Sequence, residues 1–215
     1  MFQSFDVKSD GSQGPQRVAQ LRALMADRGL DAFIVPHSDA HQNEYLPDRD
    51  ERLAWLTGFT GSAGAAIITT DEALLFVDGR YTLQAADQVD TSTFKIADLV
   101  GTGTIGWLRE NTKRGSKIGF DPWLHNVRGA STLRQLETEL GVELVAVERN
   151  MIDEIWTDQP SLPMGEIVVQ PKERAGKTAK SKLRDLQRTL RTEKVQAVIL
   201  TDPTSISWLF NIRGN

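Results

Sequence analysis

Cysteine is absent from the 215 residues, which excludes disulfides and thiolate metal sites and suits a reducing compartment. No stretch approaches the roughly 20 apolar residues of a membrane span. The opening "MFQSFDVKSDGSQGPQR" also lacks the apolar run of a signal peptide. A cytoplasmic protein with no membrane partner is the expectation. Charge of one sign is scarce as well. Twenty-five Lys and Arg face 29 Asp and Glu, a net charge of −4, which argues against nucleic acid as a partner. With 3 His and no Cys, no Cys–His or Ser–His–Asp arrangement can be argued, and His125 stands alone in the loop after "DPW". What remains is ordinary for a globular chain: 40% hydrophobic and 25% charged residues, enough to bury a core.

Residues 1–14 read as a flexible polar leader. Pro15 suits a helix first turn, and Val18, Leu21, Leu24 and Met25 recur at helical spacing until Gly29. "DAFIVP" is a short buried strand, followed by the long polar loop "HSDAHQNEYLPDRDERL". "AWLTGF" reads as a further strand, and "AAIIT" and "ALLFVD" as a hairpin around "TDE". A helix from about Thr82 to Val89 leads to the strand "TFKIAD". Thr104 is expected to N-cap a helix bearing Ile105, Trp107 and Leu108, ahead of the strand "KIGFDP". Thr132 and Gln135 form a capping box for a helix with Leu133, Leu136 and Leu140 on one face, and "ELVAVE" closes the series. The pattern predicts an α/β fold with a mixed sheet flanked by helices over about residues 15–150.

"TDQPSLPMG" then reads as a linker. Beyond it the opening order returns: the amphipathic helix of Leu183, Leu186 and Leu190, an apolar strand in "QAVIL", a shorter loop, and "ISWLFNIRG" against the earlier "LAWLTGFTG". Two copies of one α/β unit are implied, the second holding only its first elements.

The chemistry-bearing motifs are few. "GTGTIG" satisfies G-x-G-x-x-G, but it follows several elements, and Gly106 falls inside the expected helix, so a structural role is preferred to a dinucleotide cradle. "GFTGSAG" lacks the ending of a phosphate loop and the glycine spacing of a nucleophile elbow, and reads as a tight turn. His37, Asp39, His41 and Glu44 share the long loop; their spacing is poor for metal and better for contacting a polar substrate. "VDGRY" puts Asp78, Arg80 and Tyr81 at the carboxyl end of a strand, where α/β sheets bind ligands. Arg80 could grip a carboxylate or carbonyl, or simply pair with Asp78 or Glu44. Residues 172–194 carry nine Lys/Arg against three Asp/Glu and read as a solvated helix face.

The blocks "DAHQNEYLPDRDERLAWLTGFTGSAGAAIIT", "DGRYTLQAADQV", "IGFDP", "NMIDEIW" and "ISWLFNIRG" resemble the N-terminal part of the cytosolic-type aminopeptidase P family, with looser similarity to creatinase and prolidase N-terminal domains. The resemblance implies a creatinase-like domain over residues 15–157 and a linker with a truncated second domain of the same type over 158–215. A pita-bread catalytic domain holding two divalent ions, usually manganese, would lie outside this chain. It implies hydrolysis of the peptide bond before proline by the whole protein, no cofactor and no catalytic residue within these 215 residues, and a homodimer. Substrate contacts carry over to Arg80, Glu44 and His41: Glu44 for a free α-amino group, Arg80 for a carbonyl or carboxylate. A stand-alone peptide-binding or interaction module of the same fold is the alternative.

Overall fold

The computed structural model describes residues 9–214. The leader expected over residues 1–14 lies partly outside them; of the remainder, Gly11–Gln13 is a 3-10 turn and Gly14 is the buried first residue of a helix. The chain divides into two units at Pro160/Ser161.

The first unit is built on one six-stranded sheet. Helix α1 (Gly14–Asp27) takes Pro15 in its first turn and buries Val18, Leu21 and Met25. It closes with Gly29 at φ +64° and the Leu30 N–H on the Met25 carbonyl at 2.9 Å. Strand β1 (Ala32–Pro36) lies between β2 (Gly64–Thr69), antiparallel to it, and β5 (Lys117–Phe120), parallel to it. A central strand covered on both faces needs an unbroken apolar run, and "AFIV" supplies it. Its side chains alternate: Phe33 and Val35 enter one hydrophobic cluster, Ala32 and Ile34 the other.

The "TDE" turn joins β2 to β3 (Ala73–Val77) as the expected hairpin, with the Thr69 N–H on the Glu72 carbonyl. Helix α3 (Thr82–Gln88) leads to β4 (Phe94–Asp98), α4 (Gly103–Asn111) to β5, and α5 (Val127–Leu140) to β6 (Glu143–Ala146). The order is β4-β3-β2-β1-β5-β6, with β2 alone antiparallel to its neighbours. Helix α1, α2 (Arg52–Thr57) and α6 (Met151–Ile155) pack into one cluster; α4 and α5 cover the opposite face.

Three local expectations are corrected. "AWLTGF" forms helix α2 and the turn after it, not a strand. Leu53 and Leu56 are buried three residues apart, a helical spacing, and Gly58 ends the helix at φ +86°. Thr104 does not cap α4, which begins one residue earlier at Gly103; the turn ahead of it is held by Asp98, whose carboxylate accepts the Val100 and Gly101 N–H groups. Helix α5 starts at Val127, with Asn126 accepting from the Gly129 N–H at 2.8 Å. Thr132 therefore sits mid-helix, its hydroxyl donating to the Arg128 carbonyl. Asn is as good a cap as Thr, and the earlier one adds a full turn.

In the second unit a two-residue ladder joins β7 (Val168–Val169) to β8 (Ile212–Arg213). Helices α7 (Lys172–Ala175), α8 (Ala179–Thr192) and α9 (Pro203–Phe210) complete it. The strand expected in "QAVIL" does not form; residues 195–200 are exposed, Ile199 to 88%. Among the described residues nothing lies alongside this segment to supply a ladder, and a strand exists only through its neighbours. No helix of the described residues is long and apolar enough to cross a membrane.

The two units nevertheless share a local plan. Helix α8 repeats α1 at a constant shift of 165 positions (Gly14 to Ala179, Asp27 to Thr192). Lys194 at φ +54° stands where Gly29 stood, and the Val195 N–H bonds the Leu190 carbonyl as Leu30 does Met25. Helix α9 repeats α2, with Trp208 for Trp55, Leu209 for Leu56, and Asn211 at φ +54° for Gly58.

Candidate functional site

Strands β1 and β3 run in the same direction, so their carboxyl ends open on one edge of the sheet, with the start of β2 between them. Three loops meet there: residues 37–51 after β1, residues 58–63 before β2, and residues 78–81 after β3.

The first loop is folded around Asp39. Its buried carboxylate accepts the His41 and Asn43 N–H groups at 2.9 and 3.0 Å and the Asn43 amide at 2.7 Å. Burial pushes the Asp39 carboxyl up, but the bonds from Asn43 and His41 outweigh it and leave the group below its ordinary value. His37 closes the loop from its other end. Its N–H bonds the Gly64 carbonyl, its Nε2 lies 3.2 Å from the Glu44 carbonyl, and its Nδ1 is 3.8 Å from Glu51. Burial pushes the Glu51 carboxyl up against the pull of His37, and Asp48 and Asp50 add to the push.

Below the loop, Arg52 is buried and forks onto Asp153 through Nε (2.7 Å) and Nη2 (3.0 Å), while Nη1 reaches Asp50 at 2.8 Å. Gln159 ties the same Asp153 to the Arg49 carbonyl. Desolvation draws the Arg52 pKa down, yet its two carboxylates hold it above the ordinary arginine value. A buried charge set of this kind is stable only while every member is paired.

Arg80 lies at the rim with its side chain 68% exposed. Its Nε and Nη2 face the Asp78 carboxylate at 2.6–3.1 Å, and its guanidinium lies 5.1 Å from the Tyr81 ring centroid. The Asp78 carboxylate raises the Arg80 pKa first, with Tyr81 and Glu44 adding to it; Arg80 in turn holds Asp78 below the usual carboxylate range. Nη1 has no protein partner among the described residues, so it remains able to donate to a carbonyl or carboxylate. Tyr81 is fixed by its hydroxyl 2.9 Å from Ser62 Oγ and by an edge contact with Phe59.

Of the three residues singled out from sequence, Glu44 and Arg80 come close enough to feel each other's charge on this edge. His41 is exposed on the same loop and is held there by its backbone. The pairing of Arg80 with Asp78, left open by the sequence, is present. Sequence reasoning missed the Arg52–Asp153 lock. Its members stand in different motif blocks, and nothing in either block announces the other.

Residues 17–155 match the family model described as the creatinase/prolidase N-terminal domain, and residues 158–215 match a second model of the same description. The chain belongs to the creatinase/prolidase N-terminal domain family. It is 39% identical over 202 residues to an aminopeptidase P1 from Lotus japonicus, covering 92% of this chain and 30% of the relative. It is 39% identical over 215 residues to a probable Xaa-Pro aminopeptidase P from Talaromyces stipitatus, covering 98% and 33%. The chain thus spans about a third of the length of these relatives. Among solved structures it resembles an X-prolyl aminopeptidase from Caenorhabditis elegans, described as a cytosolic enzyme with a di-nuclear active site. That likeness has a TM-score of 0.82 and 36% identity, over 94% of this chain and 35% of that one. The N-terminal domain of the cytoplasmic peptidase PepQ from Mycobacterium tuberculosis matches at TM-score 0.50 and 29% identity, over 65% and 98%.

The mixed α/β sheet flanked by helices is the fold expected of the creatinase/prolidase family. Other motifs take structural places within it. In "GTGTIG" the first free N–H groups are taken by Asp98, and a side chain at Gly101 would come within 2.5 Å of that carboxylate. In "GFTGSAG" a Cβ on Gly61 would strike the Phe59 ring at 2.3 Å, which explains the small residue there. No three His, Cys, Asp or Glu side chains converge as metal ligands among the described residues.

Proposed function

We propose that this chain is the non-catalytic N-terminal part of a metal-dependent aminopeptidase that releases the residue ahead of proline from peptides. Its own task is to shape the substrate entrance and to support a homodimer in the cytoplasm. The reading is carried by the likeness to the C. elegans enzyme, which extends over 94% of this chain at a TM-score of 0.82. The di-nuclear centre named for that enzyme has no matching ligand set among the described residues here, so the reaction itself is assigned to residues beyond this chain.

At the sheet edge, Glu44 draws the free α-amino group of a short peptide, and Arg80 holds a carbonyl or the terminal carboxylate through Nη1. Their opposite charges suit the two ends of a dipeptide or tripeptide, and His41 lies on the same loop. The test is kinetic, in the longer polypeptide. Arg80→Ala is expected to raise KM for short X-Pro peptides by roughly tenfold, the size of one charge-assisted hydrogen bond. Arg109→Ala, which breaks a surface pair with Glu139 on another part of the first unit, is the control and leaves KM unchanged. Equal KM in the two variants removes Arg80 from the site.

A further inference from the structure

Glu44 owes its place on the sheet edge to one contact. Among the described residues, the His37 ring is its only hydrogen-bond partner, with Nε2 3.2 Å from the Glu44 carbonyl. The chain is next secured at Asn43, by Asp39, and at Pro47, whose carbonyl accepts the Asp50 N–H at 2.7 Å. His37 itself is firmly mounted. Its N–H bonds the Gly64 carbonyl at 3.0 Å, one step past the pairing of Pro36 with Ala65, and its side chain is 8% exposed. A change at this ring therefore falls on the loop that carries Glu44, not on the sheet.

The two ring nitrogens face different chemistry. Nε2 faces a neutral carbonyl, whereas Nδ1 lies 3.8 Å from a Glu51 carboxylate oxygen, beyond hydrogen-bond length but within reach of charge. Glu51 is partly buried, and Asp48 and Asp50 crowd it further with negative charge. Of the other charged groups on this edge, Asp50 is paired with Arg52, and Asp39 is taken up by Asn43 and His41. Arg80 acts on Glu44 from the end of β3.

A neutral imidazole carries one N–H and must choose between these neighbours. With the proton on Nε2, the Glu44 carbonyl has its donor, but a bare Nδ1 lone pair is turned on the Glu51 carboxylate. With the proton on Nδ1, the carboxylate is satisfied and the Glu44 carbonyl loses its donor. Only the imidazolium, protonated at both nitrogens, serves both. In the neutral ring charge decides, because a contact with an anion is stronger than one with a carbonyl at the far end of hydrogen-bond range.

We propose that His37 is a positioning residue, which holds Glu44 ready for the α-amino end of a peptide while its ring is protonated, a state that Glu51 sustains. This rests on Glu44 being the group that draws that end. A contact made by the charged form is present while the ring keeps its proton and is lost as pH rises and the proton goes to solvent. The hold on Glu44 is therefore full in mild acid and weakens across the range in which histidine changes charge, about pH 5 to 8. Discharge moves the remaining N–H to Nδ1 and frees the loop between Asn43 and Pro47.

The test is the pH dependence of KM for a short X-Pro peptide in the longer polypeptide. It is read as the ratio of wild type to Glu51→Gln, so that titrations common to both cancel. In Glu51→Gln the carboxylate is gone, the neutral ring keeps its proton on Nε2, and Glu44 stays held at every pH. The ratio is expected to rise about threefold between about pH 5 and pH 8, the size of one modest hydrogen bond. Ring-nitrogen NMR of isotope-labelled histidine, with His37 assigned by its loss in His37→Asn, gives a second readout. It should place the neutral-ring proton on Nδ1 in wild type and on Nε2 in Glu51→Gln. A ratio that is flat with pH, as a merely structural His37 would give, overturns the proposal, and so does the same tautomer in both proteins. Glu44→Gln separates this from the reading beneath it. Raised KM in Glu44→Gln with a flat ratio removes His37 alone; unchanged KM in Glu44→Gln removes Glu44 from the site and the role of His37 with it.

Discussion

Two helix pairs in this molecule were written from one local plan and ended in different surroundings. Helices α1 and α8 have the same length, a cation at the same fourth position (Arg17 against Trp55, Lys182 against Trp208), and a left-handed residue two places beyond the helix end, Gly29 in one and Lys194 in the other. Yet the apolar strand after α1 is buried in the middle of a six-stranded sheet, while the apolar segment after α8 is exposed and forms no strand. The difference separates what neighbours along the chain decide from what neighbours in space decide. Helix, cap and cation–indole contact recur because their partners are close in sequence or on an adjoining helix. The strand does not recur because its partners are other strands.

The largest expected effect tests that contrast at matched positions. Leu21→Ala opens a cavity in a fully buried site and is expected to cost about 2–5 kcal/mol by urea unfolding. Leu186→Ala, its counterpart in a half-buried groove, is expected to cost about 1 kcal/mol or less, since most of its cavity is already open to water. Equal losses would break the comparison.

A medium effect probes the left-handed residue after the tryptophan helix. Gly58 sits at φ +86°, and a Cβ there would come within 2.7–2.9 Å of the Gly11 backbone and the Gln88 carbonyl. Gly58→Ala is expected to lose about 1–3 kcal/mol to this strain. Asn211 takes the same conformation for the opposite reason. Its side-chain oxygen accepts from buried Lys182 at 2.7 Å and its amide donates to the Lys177 carbonyl. Asn211→Gly keeps the backbone and removes an acceptor from a buried cation, and about 1–2 kcal/mol is expected to go. A stabilised Asn211→Gly variant would show that the backbone, and not the cation, chose this residue.

The smallest effect is electrostatic. Helix α2 has no side-chain cap, whereas α9 is capped by Asp202, which accepts from the Ser205 N–H at 2.7 Å and from the Thr204 hydroxyl at 2.8 Å. Ser205 and Thr204 hold its carboxyl down at about 2, against an ordinary value of 3.8. A lowered folded-state pKa contributes stability above the ordinary value and loses it as pH falls through the lowered one. Acid should therefore loosen the first turn of α9 between about pH 4 and pH 2. Carboxyl carbon NMR of Asp202 reads this directly, and a midpoint near 3.8 would remove the cap from the account.

Legibility followed the same line. The hairpin of β2 and β3 was readable because "TDE" separates two apolar runs, and α1 because its apolar residues recur at helical spacing. "AWLTGF" was misread because six residues hold too little period to separate a helical turn from a strand, and burial of Leu53 and Leu56 on one side settles it. Both capping errors came from choosing Thr over an earlier start: Gly103 for α4, Asn126 for α5. At the candidate site, Glu44 and Arg80 were each singled out by motif, but the Asp39-centred loop and the Arg52–Asp153 lock near that edge were not legible. The loop's turn is local but carries no motif that announces it, and the lock depends on residues brought together by folding, Arg52 and Asp153, 101 positions apart.

By itself the sequence determined the exclusions, the helix-forming segments, the hairpin and the existence of a repeat, because each depends on composition or on residues a few positions apart. The tertiary structure alone decided that "QAVIL", which reads as a strand just as "AFIV" does, is not one. It also decided that one tryptophan is roofed by a second while its twin faces water. Backbone hydrogen bonds of a sheet and the two faces of an indole are satisfied across space, and no local spacing records what will lie opposite them.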